Sequence, residues 1–476
     1  MFGSPPDPSH DDARPTVHRA YGAFPPRVAT GPPDAPQRST SWHPAAVVLC
    51  FLLMFVMMFL WITNPVRFAI GAGLLVAPLL LLLALPLCAR ATRLRENFDI
   101  GGLMLASLAL RFIVVLDRYR FRQDAGVYHQ AGSALAELFR SLQFDVDSGA
   151  PMPGTGGMRY LTGLVEVVTN NNEYATFLVF TWLAFVGCYL LYEAFATAMP
   201  DGDHRRFALL VFFWPTLVYW PSSISKDGWI IFSIGLASLG VAKVLTRRRG
   251  GYVLFLIGSL LCSVVRPHVS ILALVSFGVA LLLARRPGPD AGTRSVTPSG
   301  IAKVAGFVAL IAIGALLASQ LGDFLDARDL TVDSAITTNI NKTSQGNGAF
   351  EPANPENPLG YARASVNILF RPFPFEARGS EQLLTAAEAV ALFGLCVVSW
   401  RRLASVPFRL RRDPYAAYAL SMVLMFIFVL GTIGNFGILA RQRSQVVPFL
   451  FVLLCVSAPA PKNKHERTSG HGAPTR

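Results

Sequence analysis

Long apolar runs, repeated along the chain, constrain this protein more than any other feature. In a bilayer only a helix or a closed barrel satisfies its own backbone, and a helix needs roughly 20 apolar residues to cross. About twelve such runs occur, near 45–65, 69–89, 101–116, 173–196, 206–220, 227–245, 251–265, 268–285, 301–320, 383–400, 414–433 and 444–458. They predict an all-α fold: a polytopic membrane helix bundle of about twelve transmembrane helices. Only 15% of the residues are charged, against about a quarter in an ordinary globular chain. The six cysteines, Cys50, Cys88, Cys188, Cys262, Cys396 and Cys455, all fall inside apolar runs, and no CxxC occurs. Neither disulfides nor a metal cluster is expected.

Residues 1–44 are rich in Pro, Arg, Ser and His and lack the apolar core of a signal peptide, so they read as a disordered cytoplasmic tail. Residues 45–458 form the membrane domain, and 459–476 a second cytoplasmic tail. With the N-terminus inside, every cytoplasmic loop carries Lys or Arg, as in "RATRLRENFD", "TRRRGG" and "RRLASVPFRLRRDP". That alternation obeys the positive-inside rule and predicts a multi-pass plasma-membrane protein with both termini cytoplasmic. The net charge of +13 then reflects orientation. The expected partner is the bilayer, and no nucleic acid is expected.

The outside receives two long loops, 117–172 and 321–382, and three tight turns at 221–226, 266–267 and 434–443. In the first loop, Val127, Ala131, Leu135, Leu138, Phe139 and Leu142 recur at helical spacing, which predicts an amphipathic helix on the membrane surface. "LGYARASVNILFRPF", 359–373, is a second such candidate. "PMPGTGG", 151–157, is a glycine-rich turn and not a phosphate loop, because no strand precedes it. Trp214, Tyr219 and Trp220 read as an interfacial aromatic belt.

Several cations stand on the outer side, against the positive-inside bias. "WPSSISKDGW" puts Ser223 and Lys226 at the start of one span, "VVRPHVS" puts Arg266 and His268 at the start of another, and "LARQRSQ" puts Arg441 and Arg443 at the start of the last. Helix N-termini joined by Lys and Arg build an anion site, here one suited to a lipid phosphate or pyrophosphate. Two plainer readings compete. Each cation could snorkel to headgroups, and Arg266 could simply pair with Asp227. On the same side, "RQDAGVYHQ" opens the first surface helix with Asp124, followed by Tyr128 and His129. Asp124 fits a helix N-cap, and it also fits a general base taking the proton of an attacking hydroxyl. Asp145, Asp147 and Glu166 are weaker candidates. Arg159 and Tyr160 either contact sugar or anchor a second surface helix.

These motifs resemble those of the GT-C superfamily of lipid-dependent glycosyltransferases. "SSISKDGWIIFSIGLA", "VVRPHVSILAL" and "GILARQRSQVVPFLFVLL" look like the spaced motifs of bacterial polysaccharide polymerases of the Wzy and EpsG-like kind. The resemblance marks Asp124, Tyr128 and His268 as catalytic, and Ser223, Lys226, Arg441 and Arg443 as binding the lipid phosphate; Arg266 joins them by position. Lys226 departs from the arginine often found there, and Ala125 stands where a second acid would follow Asp124. The resemblance implies transfer from a polyprenyl-(pyro)phosphate-linked sugar on the outer face, for cell-envelope or exopolysaccharide synthesis. It needs no nucleotide and no metal or other cofactor, with a divalent cation at the phosphate left open. The alternative is a transporter or flippase of lipid-linked glycans. That alternative predicts charge in the middle of spans and discontinuous helices, whereas Arg111 and Glu388 read as lying near span ends.

Overall fold

The computed structural model describes residues 67–94, 98–284, 349–353, 355, 357–377 and 379–457. The expected spans 45–65 and 301–320, both terminal tails and residues 321–348 of the second outer loop lie outside them. The described residues form sixteen helices and no strand. In order they are α1 (Arg67–Leu94), α2 (Ile100–Arg120), α3 (Gln123–Arg140), α4 (Thr155–Thr169), α5 (Glu173–Ala198), α6 (His204–Phe213), α7 (Pro215–Tyr219) and α8 (Lys226–Leu245). There follow α9 (Gly251–Ser263), α10 (Pro267–Leu283), α11 (Pro358–Phe370), α12 (Ser380–Val398), α13 (Trp400–Arg409), α14 (Pro414–Leu430), α15 (Phe436–Arg443) and α16 (Val447–Leu454).

Four of these helices, α1, α2, α5 and α8, are long and apolar enough to cross a membrane, and the bent pair α12–α13 makes a fifth if counted as one. The expected run 206–220 is not one helix. Pro215 cannot donate to the helix ladder, and the chain breaks at Trp214 into ten-residue α6 and five-residue α7. The run 444–458 holds only the eight residues of α16. The expected tight turn 434–443 is a helix, α15, capped by the Asn435 side chain on the amides of Gly437 and Ile438.

Glycine lets the central helices approach backbone to backbone. A Cβ on Gly235 of α8 would stand 2.5 Å from the Gly187 carbonyl oxygen of α5, and one on Gly258 of α9 2.4 Å from the Ala237 nitrogen of α8. Small residues of this kind are how helices associate where water supplies no driving force. Helix α8 is thereby held between α5 and α9, and its N-terminus is held with it. All five described cysteines are free thiols.

Arg111 and Glu388 do not lie near helix ends. Arg111 is the twelfth of the 21 residues of α2 and has no exposed surface. Its guanidinium donates to the Leu217 carbonyl at 2.6 Å and to Cys188 Sγ at 3.2 Å. Glu388 sits inside α12, 6% exposed, and accepts from the Thr216 hydroxyl. Both groups serve α7, so the break at Trp214–Pro215 is what requires buried charge. Trp214 does not belong to an exposed aromatic belt. Trp214 is buried against Phe451, their rings 5.1 Å apart. Tyr219 and Trp220 carry the Arg118 guanidinium over their faces at 4.8 and 5.2 Å.

The first surface helix exists as α3, but its buried face is shifted. Ala125, Tyr128, Leu135, Ala136 and Phe139 are buried, while Val127, Leu138 and Leu142 of the expected stripe are exposed. The cause is α4. Gly132 and Gly163 let α3 and α4 approach, a Cβ on Gly132 falling 2.7 Å from Thr162. The second surface helix is α11, begun by the Asn357 side chain accepting from the Gly360 amide.

Candidate functional site

A cavity of about 190 Å³ lies where α3, α8, α10 and α15 meet, lined by Asp124, Tyr128, Ser225, Lys226, Asp227, Arg266, Ile438, Arg441 and Gln442. Three of its walls are helix N-termini. Ser225 caps α8, its hydroxyl accepting from the Gly228 amide, and so presents Lys226 and Asp227 in the first turn. Arg266 is the N-cap residue of α10, ahead of Pro267, whose missing N–H costs nothing at the first helical position. Asp124 lies in the first turn of α3, where the helix dipole favours an acid. It is not the N-cap; Arg122 is.

The third expected N-terminus is not at the cavity. Arg441 and Arg443 do not begin the last span. They end α15, in the last turn, where the dipole favours cations. Nor do they work together, because residues two apart point to opposite sides of a helix. Arg441 faces the cavity. Arg443 is fully buried and donates through Nε to the Ile368 carbonyl at 2.9 Å and through Nη2 to the Arg371 carbonyl. It ties down the C-terminus of α11 and contributes nothing to the cavity wall.

The cavity's charges form a chain. Arg441 Nη1 meets Asp124 Oδ2 at 3.0 Å, and its Nε stands 3.7 Å from Asp227 Oδ2. Arg266 Nη2 lies 3.4 Å from Asp227 Oδ1. Lys226 Nζ donates to the Thr155 hydroxyl at 3.0 Å, reaching the start of α4. Gly154 at φ 126° turns the chain into α4 there, and its amide donates to the Val264 carbonyl at 3.0 Å, two residues before Arg266. The Arg441 guanidinium also lies over the Trp220 ring, 5.4 Å from its centroid. Three cations against two carboxylates leave one net positive charge.

The pairing is incomplete. Arg266 Nη1, Arg441 Nε and Asp227 Oδ1 are buried without a hydrogen-bond partner, a state that ordinarily costs about 1–3 kcal/mol per group. Asp227 is 2% exposed, whereas the Asp124 side chain is 55% exposed. Asp124 is therefore the member that solvent or a ligand reaches first. Burial and the nearby Asp124 charge push the Tyr128 phenol up to about 12, so it stays a hydrogen-bond donor at neutral pH.

Of the residues singled out in the sequence, Asp124, Tyr128, Lys226, Arg266 and Arg441 converge on the cavity, and Ser223, His268 and Arg443 do not line it. Ser223, expected to bind the lipid phosphate, is buried, and the helix cap beside the cavity is Ser225. His268 is half-buried at the second position of α10 and is not among the residues that line the cavity. The sequence offers Asp227 only as a partner for Arg266; in the structure it joins two arginines. Its place one residue into a capped helix is the signal that marks it as inward. Tyr160 and Arg159 are anchors, donating to the carbonyls of Phe144 at 3.1 Å and Gly149 at 2.5 Å. Among the described residues no group of three His, Cys, Asp or Glu is placed to hold a metal ion.

A second polar cluster sits behind the cavity, between α3 and α4. His129 Nδ1 meets Glu166 Oε1 at 2.7 Å, and the Ser133 hydroxyl donates to Glu166 Oε2 at 2.5 Å. Glu166 has no exposed surface. The Ser133 hydroxyl also lies 3.4 Å from His129 Nδ1, and the three side chains together clamp α3 to α4.

No family model, curated protein or solved structure matches this chain.

Proposed function

We propose that the chain is a membrane glycosyltransferase or glycan polymerase that takes its sugar from a polyprenyl-(pyro)phosphate on the outer face of the plasma membrane. The observation that carries this is the convergence of Lys226, Arg266 and Arg441 on one cavity with the exposed carboxylate of Asp124. The reading includes about twelve spans and cytoplasmic termini, supported by the charge alternation of the loops. A phosphate entering the cavity competes with Asp124 for Arg441. Displaced, Asp124 takes the proton of an acceptor hydroxyl, the new C–O bond forms at the anomeric carbon, and the sugar–phosphate bond breaks with its electron pair going to the phosphate. The cations then stand where negative charge develops, which is where electrostatic stabilisation lowers a barrier.

A specific observation favours the second reading, a transporter or flippase of lipid-linked glycans. The α6–α7 break, with Arg111 and Glu388 buried against it, is the kind of discontinuous helix such proteins use. One experiment separates the two. Inside-out and right-side-out vesicles from cells lacking the protein are assayed for lipid-linked glycans, with wild-type or Asp124→Asn protein restored. An enzyme requires Asp124 and leaves its unused donor on the outer face. A flippase leaves the glycan on the inner face, and the Asp124→Asn protein restores its movement. No change in lipid-linked glycans in either vesicle sinks both.

A further inference from the structure

The chain turns by 65° between α12 and α13, at Ser399. The Ser399 hydroxyl accepts from Arg206 at 2.5 Å, so the elbow is tied to the start of α6. Beyond it, one side of α13 is bonded to protein. Leu403 and Leu410 pack on the core with buried Val406. Arg402 meets Asp203 at 3.0 Å, and Arg409 donates to the Ser457 hydroxyl at 2.5 Å. The other edge has no protein partner. Trp400 is 60% exposed and Phe408, two turns on, is 88% exposed. Arg401, next to Trp400, and Arg411 and Arg412, just past the end of α13, are exposed; Arg412 also borders the hollow formed with Asp201, Arg409 and Asp413, and no carboxylate among the described residues lies within ion-pair distance of these three. Arg401 folds back over the Trp400 ring at 5.7 Å.

We propose that α13 is an in-plane membrane helix, with Trp400 and Phe408 in the acyl boundary and Arg401, Arg411 and Arg412 on the phosphates of anionic lipids. An apolar helix that ends in a sharp elbow delivers the next segment to the membrane boundary. A segment with one aromatic edge and free arginines beside it fits that boundary and little else. The arginines choose the lipid: those facing protein already have partners, and those facing outward are matched by negative headgroups. The inference rests on the membrane placement of the chain and not on the chemistry of the cavity.

The test uses the full chain in nanodiscs of phosphatidylcholine with a fixed fraction of brominated lipid, which quenches tryptophan on contact. Trp400 is isolated as the difference between wild type and Trp400→Phe, and the remaining six of the seven tryptophans report on embedding. Quenching of Trp400 should be stronger with brominated phosphatidylglycerol than with brominated phosphatidylcholine. Each free arginine should enrich the anionic lipid by up to about fivefold. The Arg401→Gln, Arg411→Gln, Arg412→Gln triple variant should lose the preference and keep the quenching. If the other tryptophans are quenched but Trp400 is not, or shows no lipid preference, the proposal is overturned while the membrane reading stands. If no tryptophan is quenched, the membrane reading falls and takes the proposal with it. Counting the phosphatidylglycerol that stays bound to wild-type protein through delipidation needs no variant; none retained is equally fatal.

Discussion

Arg441 and Arg443 lie two residues apart on the same short helix, and they do opposite work. Arg443 donates through Nε and Nη2 to the Ile368 and Arg371 carbonyls, leaves its Nη1 without a hydrogen bond, and is fully enclosed. Arg441 pairs with two carboxylates, keeps a buried Nε without a hydrogen bond, and borders open space. Arg111 belongs with the first kind, donating to the Leu217 carbonyl. Arg266 belongs with the second, opposite Asp227. A buried arginine on backbone carbonyls holds a fold together. One on carboxylates at a cavity is an exchangeable partner, because an incoming anion can replace the carboxylate.

The largest expected effect tests that division directly. Arg443→Met strands two carbonyls and should lower stability by about 1–3 kcal/mol for each, seen as a clear fall in the thermal midpoint in detergent. Arg441→Met should lower the midpoint less, because Asp227 keeps Arg266 as a partner, and should remove binding of a polyprenyl-phosphate donor. Equal losses of stability from the two variants would erase the distinction.

The two carboxylates sharpen it next. Asp227 is enclosed and holds two arginines, while Asp124 stands largely in solvent. Asp227→Asn should destabilise by about 1–3 kcal/mol, since it leaves two buried cations underpaired. Asp124→Asn should cost no more than about 1 kcal/mol, the range of an exposed pair, and should abolish sugar transfer. An Asp124→Asn protein with full transfer activity would leave Asp124 as a surface ion-pair partner only.

Much of this was legible in the chain. The long helices α1, α2, α5 and α8 are visible because an apolar run has few other fates, and α11 because an amphipathic repeat precedes a proline. Three cations of the cavity, Lys226, Arg266 and Arg441, were recognisable as charges out of place, and Asp124 as an acid on the same side. What was not legible depends on angles around helices. Arg441 and Arg443 read alike until α15 is known to be a helix, and a polar eight-residue helix between a span and a turn carries no strong periodicity. The break at Pro215 was marked by the proline, but the apolar run around it reads through. Arg111 and Glu388 could not be matched to α7 before that break was known.

His129 offers a smaller, pH-dependent effect. Burial of the ring opposes its charge, but the hydrogen bond and charge of Glu166 prevail, and its value is raised above the ordinary 6.5. A raised value means that protonation stabilises the fold. The contribution is full below the unfolded value and is lost as pH rises through the raised one. The α3–α4 clamp should therefore loosen on the alkaline side. Wild type should lose more thermal stability than His129→Gln as pH rises from about 6 through the raised value, with the unfolded value near 6.5. Parallel pH profiles would show that the Glu166 contact does not depend on the His129 charge.

Lys226 shares features of both kinds of cation, and it gives the finest test. Its ammonium lines the cavity, yet it also donates to the Thr155 hydroxyl. If it belongs with Arg443, its use is that one bond, and removing either partner should have the same effect. If it belongs with Arg441, the charge matters and the bond only aims it. Thr155→Val deletes the acceptor and keeps the cation, at a cost of about 0.5–1.5 kcal/mol in stability. Lys226→Gln deletes the cation and keeps a side chain that can still reach the hydroxyl. A site cation predicts that Thr155→Val weakens donor binding by no more than about threefold, while Lys226→Gln weakens it by roughly ten- to a hundredfold, the worth of a charge-assisted bond. Donor titrations on the two purified variants decide between them. Matching losses would move Lys226 to the structural side and leave Arg266 and Arg441 as the only cations available to a ligand.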